Sequence, residues 1–291
     1  MHSDVGLLIL FGKAVPEGAD TLIQEMVYPL WDVGFDVGYA TRSVKETVKL
    51  AETDYETLTP LLDARFICGM SHLFSELMRR LREDLIVRRT NKILNWLAMV
   101  SDERHRRFGD SAYLLEPNLK EGQGGLRDFH TMLWTAKIKY HVKESRDLEY
   151  YGLLSHDEYM ELMSSLGFIW NVRNHIHHLT GRKYDQLHFE TQIKLAHQLN
   201  FSADDGKAPV EIFLEHLHAC MEVVKQQHLM FLYDQGLSPR RRRIKKTAKQ
   251  IGISGLKIKS GMLYFRSPTD LMINPKLLVK IFEESARLKL P

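Results

Sequence analysis

The sequence predicts an α+β chain, with a small strand-and-helix region packed on a mainly α-helical bundle. Three observations carry this. Before about Phe66, short apolar runs alternate with segments of helical periodicity. From Ser71 to about Gly236, apolar residues recur at helical spacing almost without a break. Beyond Pro239, a basic run leads into a short hairpin pattern and one last helix. The expected divisions are 1–70, 71–236 and 237–291.

Val5 to Phe11 is an apolar run interrupted only by Gly6, and reads as a buried strand. Pro16 to Gly18 forms a turn. Asp20 to Trp31 reads as a helix burying Leu22, Ile23, Met26, Val27 and Leu30. Phe35 to Ala40 reads as a second strand carrying Asp36. Ser43 and Glu46 form a capping box opening a helix, and Thr53 to Cys68 holds another. In the long run from Ser71 to Phe108, the buried stripe is Leu73, Leu77, Leu81, Ile86, Ile93, Leu97 and Val100. Arg79, Arg80, Arg82, Arg88 and Arg89 fall on a wet face, partly paired with Glu76, Glu83 and Asp84.

The chain is organised around Leu114 to Asp128. Leu114-Leu115 leads in like a strand, and Pro117 blocks a helix. Three glycines, Gly122, Gly124 and Gly125, then allow φ > 0 or close approach. A helix follows with Leu126, Phe129, Met132, Leu133 and Ala136 on one face. A strand, a glycine turn and a helix start would leave free backbone N–H groups for an anion. The same pattern also describes a tight connection whose charges, Glu116, Lys120, Glu121, Arg127 and Asp128, pair with one another. Ser155 and Glu158 form a second capping box, opening a helix that contains His175, His177 and His178. Neither cysteine nor carboxylate completes a zinc set there. Segments 187–199 and 210–233 finish the bundle.

Bulk properties narrow the classes. A chain of 291 residues has room for one or two cores, and a net charge of +3 is too mild to imply nucleic acid. The basic run Arg240 to Lys246 has no interleaved aromatics for base stacking and reads as an exposed linker. Two distant cysteines, Cys68 and Cys220, make no disulfide framework and fit a reducing cytoplasm. No apolar run approaches the roughly 18 residues of a membrane span, and no secretory leader pattern is present.

The motif Glu116-Pro117-Asn118-x-Lys120-Glu121-Gly122-x-Gly124-Gly125-Leu126-Arg127-Asp128 resembles the signature of the bacterial PII uridylyltransferase (uridylyl-removing enzyme) family. Arg173-Asn174-His175-x-His177 with Gly181-Arg182-x-x-Asp185-Gln186-Leu187 is similar to the signature of that family's helical domain. His2 to Leu10 resembles the metal-binding strand of polymerase-β-type nucleotidyltransferases, where carboxylates at i and i+2 share one face. The resemblance implies a Mg²⁺-dependent transfer of UMP from UTP to a tyrosine of PII, a nitrogen-signalling protein. Asp4 and Asp36 would hold metal and act catalytically. Glu116, Lys120, Gly124, Gly125, Arg127, Asp128, Arg42, Arg182 and Asp185 would serve the nucleotide. Arg42 and Arg65 would reach phosphate, or else pair with Asp36 and Asp63; Arg182 and Asp185 would be a functional pair, or else a loop salt bridge.

Two departures stand out. Gly6 occupies the second carboxylate position, and the family's Gly-Ser turn does not precede Asp4. The resemblance therefore implies a nucleotidyltransferase sheet cut short, with impaired transfer, and a C-terminal helix leading toward a phosphohydrolase domain. The alternative is a non-catalytic helical scaffold that binds a protein partner or nucleotide.

Overall fold

A computed structural model describes residues 5–109, 114–237, 256–259, 262–265 and 274–288. It divides into two compact units, 1–228 and 229–291.

The first unit opens with a βαβ element. Strands β1 (Val5–Phe11) and β2 (Val37–Ser43) are parallel, with Val5 opposite Val37 and Gly6 opposite Gly38. A parallel pair needs a crossover, and α1 (Ala19–Asp32) supplies it. Ala19, Ile23 and Val27 pack on Leu7, Ile9 and Phe11. The expected burial is only partly met. Leu22 and Met26 are 51% and 41% exposed, and β1 is half-exposed along its length. Two strands cover a narrow strip of α1, so only the Ile23–Val27 stripe is enclosed. β2 also begins one residue after Asp36, which is exposed and uses its carbonyl to accept the Val5 N–H at 2.8 Å.

Ser43 and Glu46 make the expected capping box on α2 (Val44–Thr53). Helix α3 (Tyr55–Leu62) is shorter than predicted and ends at Asp63. Asp63 pairs not with Arg65 but with Lys137 Nζ at 2.6 Å, and it accepts the Trp134 indole N–H at 2.7 Å. Helix α4 (Ser71–Arg80) passes through a π-helical stretch, Leu81–Ile86, into α5 (Val87–Phe108). A kink at Arg89 accompanies the π turn, and Arg89 donates to the Glu52 carbonyl at 2.9 Å. Along the predicted stripe, Leu77, Leu81, Ile86, Ile93 and Leu97 are buried. The ion pairs Arg79–Glu83, Arg80–Glu76 and Arg88–Asp84 form on the exposed face.

The bundle continues with α6 (Leu126–Tyr140), α7 (Asp147–Tyr150) and α8 (His156–Thr180), then α9 (Phe189–Gln198) and α10 (Pro209–Asp234). Ser155 and Glu158 cap α8 as expected. Met132, Leu162, Leu166, Ile169, Phe213 and Val224 are fully enclosed core residues.

In the second unit, β3 (Leu256–Lys259) and β4 (Met262–Phe265) form the predicted antiparallel hairpin. Helix α11 (Leu277–Leu288) lies beside β4. Among the described residues, no helix is long and apolar enough to cross a membrane.

Candidate functional site

The glycine turn is held by its own atoms. Asn118 Oδ1 accepts the N–H groups of Lys120 (3.1 Å) and Glu121 (2.7 Å), which tightens the chain into a turn. Gly122 N–H then bonds to Asn118 O, Gly125 N–H to Gly122 O, and Leu126 N–H to Leu119 O. Arg127 N–H bonds to Lys120 O, and Asp128 N–H to Gly125 O. The Gly124 N–H bonds to Asp128 Oδ2 at 2.8 Å. The turn therefore consumes most of the N–H donors that the sequence offers to an anion. The lead-in strand is absent, because Leu114-Leu115 is irregular and Leu115 is 69% exposed.

The glycines serve close packing. Gly124 has φ +78°, and a Cβ there would stand 2.1 Å from the Met221 carbonyl oxygen of α10. A Cβ on Gly125 would meet three carbonyl oxygens of the turn at 2.9 Å.

Beneath the turn lies a buried ion cluster. Asp128, in the first turn of α6, is completely enclosed. Its Oδ1 accepts the Arg104 guanidinium and lies 2.7 Å from His105 Nε2 and 3.8 Å from His228 Nδ1. Arg104 also reaches Ser101 Oγ at 3.3 Å, and Ser101 Oγ stands 3.5 Å from His228 Nε2. A buried carboxylate is costly unless its lone pairs are met, and here guanidinium, imidazole and amide meet them. Burial alone would raise the Asp128 pKa. The His228 field, the His105 hydrogen bond and the Arg104 charge outweigh it and set the carboxyl at about 2. Burial holds His228 down at about 4. Burial, with help from Arg127, holds His130 at about 4 too.

These values fix a pH dependence. Both histidines are neutral when folded and charge near 6.5 when unfolded. Below that pH the unfolded chain binds more protons, so stability falls as pH drops from about 6.5 to about 4. Each histidine contributes on the order of 3 kcal/mol to the loss. Asp128 acts in the same direction but at lower pH: its contribution is complete above 3.8 and is lost only as pH falls through about 2. Urea midpoints at pH 7, 5.5 and 4.5 are expected to fall monotonically; a flat series contradicts neutral buried histidines.

The second sequence motif is bonded to the first. Leu119 N–H donates to Asp185 O at 2.8 Å, and Leu187 N–H donates to Pro117 O at 3.0 Å, flanking an Asn118–Gln186 bridge. The Gln186 amide also donates to Glu116 O. Glu116 Oε1 accepts the Phe189 N–H at 2.9 Å and lies 3.1 Å from His188 Nδ1. That amide, and then His188, lower its pKa. Glu116 thus caps the start of α9. Asp185 pairs with Arg173 Nε at 2.6 Å and sits 3.4 Å from His177 Nε2, so its partner is not Arg182. Arg182 is exposed, with its guanidinium 5.8 Å from the Tyr184 ring.

Asp4 lies outside the described residues. Asp36 is exposed and immediately precedes β2, and Arg42 is the penultimate residue of that strand. Lys120 and Arg127 both approach Glu121, at 3.7 and 3.3 Å, and Arg127 stands 5.5 Å from the Trp134 ring. The structure therefore gathers Lys120, Glu121 and Arg127 above Gly124, Gly125 and Asp128, with Glu116 and Asp185 in the adjoining loop. Ser101, Arg104, His105 and His228 escaped the sequence reading, because they come from remote positions in two long helices.

His105, Asp128 and His228 place three potential metal-ligand atoms within 4.8 Å of one another. Two imidazoles and one carboxylate suit a borderline transition metal. Mg²⁺ takes oxygen ligands, so this set does not fit it.

The family model described as GlnD PII-uridylyltransferase matches residues 93–232. The chain is 33% identical to the bifunctional uridylyltransferase/uridylyl-removing enzyme of Ruegeria pomeroyi, over 98% of this chain and 32% of that protein. It is 37% identical to the enzyme of the same description from Nitrobacter hamburgensis, over 74% of this chain and 23% of that one. The Novosphingobium aromaticivorans enzyme is 32% identical over 99% of this chain and 32% of its own length. The chain thus spans about a third or less of these relatives. No solved structure matches it.

Proposed function

Because the chain belongs to the PII-uridylyltransferase family, we propose that it forms the helical platform and part of the catalytic sheet of a uridylyltransferase that moves UMP from UTP to PII in the cytoplasm. The observation that carries this reading is the junction of the two motifs. Residues 116–128 and 173–187, remote in sequence, join in one hydrogen-bonded unit. On this reading 1–70 is the partial nucleotidyltransferase region, 71–236 the helical domain, and 237–291 the linker, hairpin and entry helix. Lys120, Arg127, Arg42 and Arg182 offer cationic groups for triphosphate. Gly124, Gly125 and Asp128 act from beneath, and Glu116 and Asp185 fix the adjoining loop.

Mg²⁺ belongs to this reading through Asp4 and Asp36. Gly6 removes the carboxylate that would share the strand face with Asp4, so the chain is impaired in transfer. A Cβ at Gly6 meets no atom within 4 Å, so the strand leaves room there for a side chain to begin. The test is label transfer from UTP to PII with Mg²⁺, using this chain and Gly6→Asp, each carrying the N-terminal region of the Ruegeria pomeroyi relative ahead of Met1. The Gly6→Asp fusion is expected to label PII at least ~100-fold faster than its parent, the scale of losing one charge-stabilising group. If that fusion labels nothing, the transferase reading fails.

Gly6 favours a second reading, a non-catalytic helical scaffold that binds a protein partner or nucleotide without turnover. It is distinguished by UTP retention in equilibrium dialysis with no label on PII for either fusion.

A further inference from the structure

The geometry points to a buried cation site whose occupant is the chain's own Arg104. Its terminal nitrogen stands against Asp128 and His105, two of the three groups that with His228 would otherwise hold a divalent transition metal. That nitrogen is bonded to Asp128 Oδ1, lies 3.4 Å from His105 Nε2 and lies 3.3 Å from Ser101 Oγ. His228 Nδ1 is enclosed, makes no hydrogen bond, and faces Asp128 Oδ1 at 3.8 Å. That separation is too long for a hydrogen bond and close to the spacing of two ligands on one metal ion. A buried imidazole nitrogen without a hydrogen bond asks for an explanation, and beside Asp128 and His105 a donor set centred on a cation supplies one. The guanidinium supplies that charge permanently. It needs no loading and no ligand deprotonation, and it cannot be removed by a chelator. It also ties α5 to the first turn of α6, and through Asp128 Oδ2 it holds the Gly124 amide.

The purified wild-type protein is therefore expected to carry no stoichiometric transition metal, to keep its Tm in EDTA, and to give only the solvent-ion spectrum on Co²⁺ titration. Arg104→Ala opens the centre. It is expected to develop intense tetrahedral Co²⁺ absorbance and a Tm rise of roughly 5–10 °C with saturating Zn²⁺. Mg²⁺ produces neither effect. Adding His228→Ala abolishes both. Arg104→Lys, which retains a cation on a shorter reach, folds metal-free.

Should Arg104→Ala not fold alone, refolding with Co²⁺ or Zn²⁺ is expected to recover it. An Arg104→Ala protein that neither binds nor is recovered by these ions overturns the proposal. So does a wild-type protein isolated with one equivalent of zinc. None of these readouts depends on uridylyl transfer.

Discussion

Asp128→Ala is expected to destabilise the first unit by about 3–5 kcal/mol, the range for removing one partner of a buried charge pair. Asp128 has no exposed surface, so water cannot replace the lost carboxylate. Arg104, with 9% side-chain exposure, would lose the carboxylate it is bonded to and keep only the more distant field of Glu121. The Gly124 N–H would lose its acceptor as well, leaving a buried donor unmet. Asp128→Asn separates these effects. It keeps the volume and one acceptor oxygen but removes the charge, so it is expected to lose most, not all, of the same stability. Urea midpoints at pH 7, with amide exchange at Gly124, check both variants. A loss under about 1 kcal/mol for alanine would show that the cluster is solvated or redundant.

Local features of this fold were legible in the sequence. Ser43 with Glu46 and Ser155 with Glu158 act over three residues, and both capping boxes form as read. The face of α6, from Leu126 to Ala136, follows from helical period alone. What escaped was set by distance. Asp128 reads as a charge on a turn, yet its ion partner stands 24 residues earlier, and Ser101 meets His228 across 127 residues. No spacing rule links positions that meet only after α5 and α10 have packed.

The errors share a physical origin. A glycine-rich turn looks the same in sequence whether its amides await an anion or are turned inward. Here Asn118 and Asp128 take several of them, and the glycines make room for carbonyls. Glu116 similarly reads as a charge awaiting a ligand, but it caps α9 some seventy residues away. On α1, the apolar period identified a face without revealing that two strands cover it, so Leu22 and Met26 emerge exposed.

Gly124 is a sharper test of the turn than any charged residue. Gly124→Ala is expected to cost roughly 2–5 kcal/mol, from left-handed strain and overpacking together. The strain follows from φ +78°, a region that alanine rarely enters. The overpacking follows from the Met221 carbonyl, 2.1 Å from the new Cβ. That oxygen belongs to the backbone of a 26-residue helix, so it cannot rotate aside as a side chain would. Relief requires the turn to lift from α10, which would also draw the Gly124 amide away from Asp128.

Gly167→Ala is the matched control. It lies inside α8, and its Cβ would meet no atom within 4 Å. Alanine there is expected to stabilise by about 0.5–1 kcal/mol through helix propensity. Thermal melts should therefore separate the two variants by about 5–20 °C in opposite senses from the wild type. If Gly124→Ala melts with the wild type, the glycine turn does not sit against α10. The close approach that organises the cluster beneath it would then be lost as well.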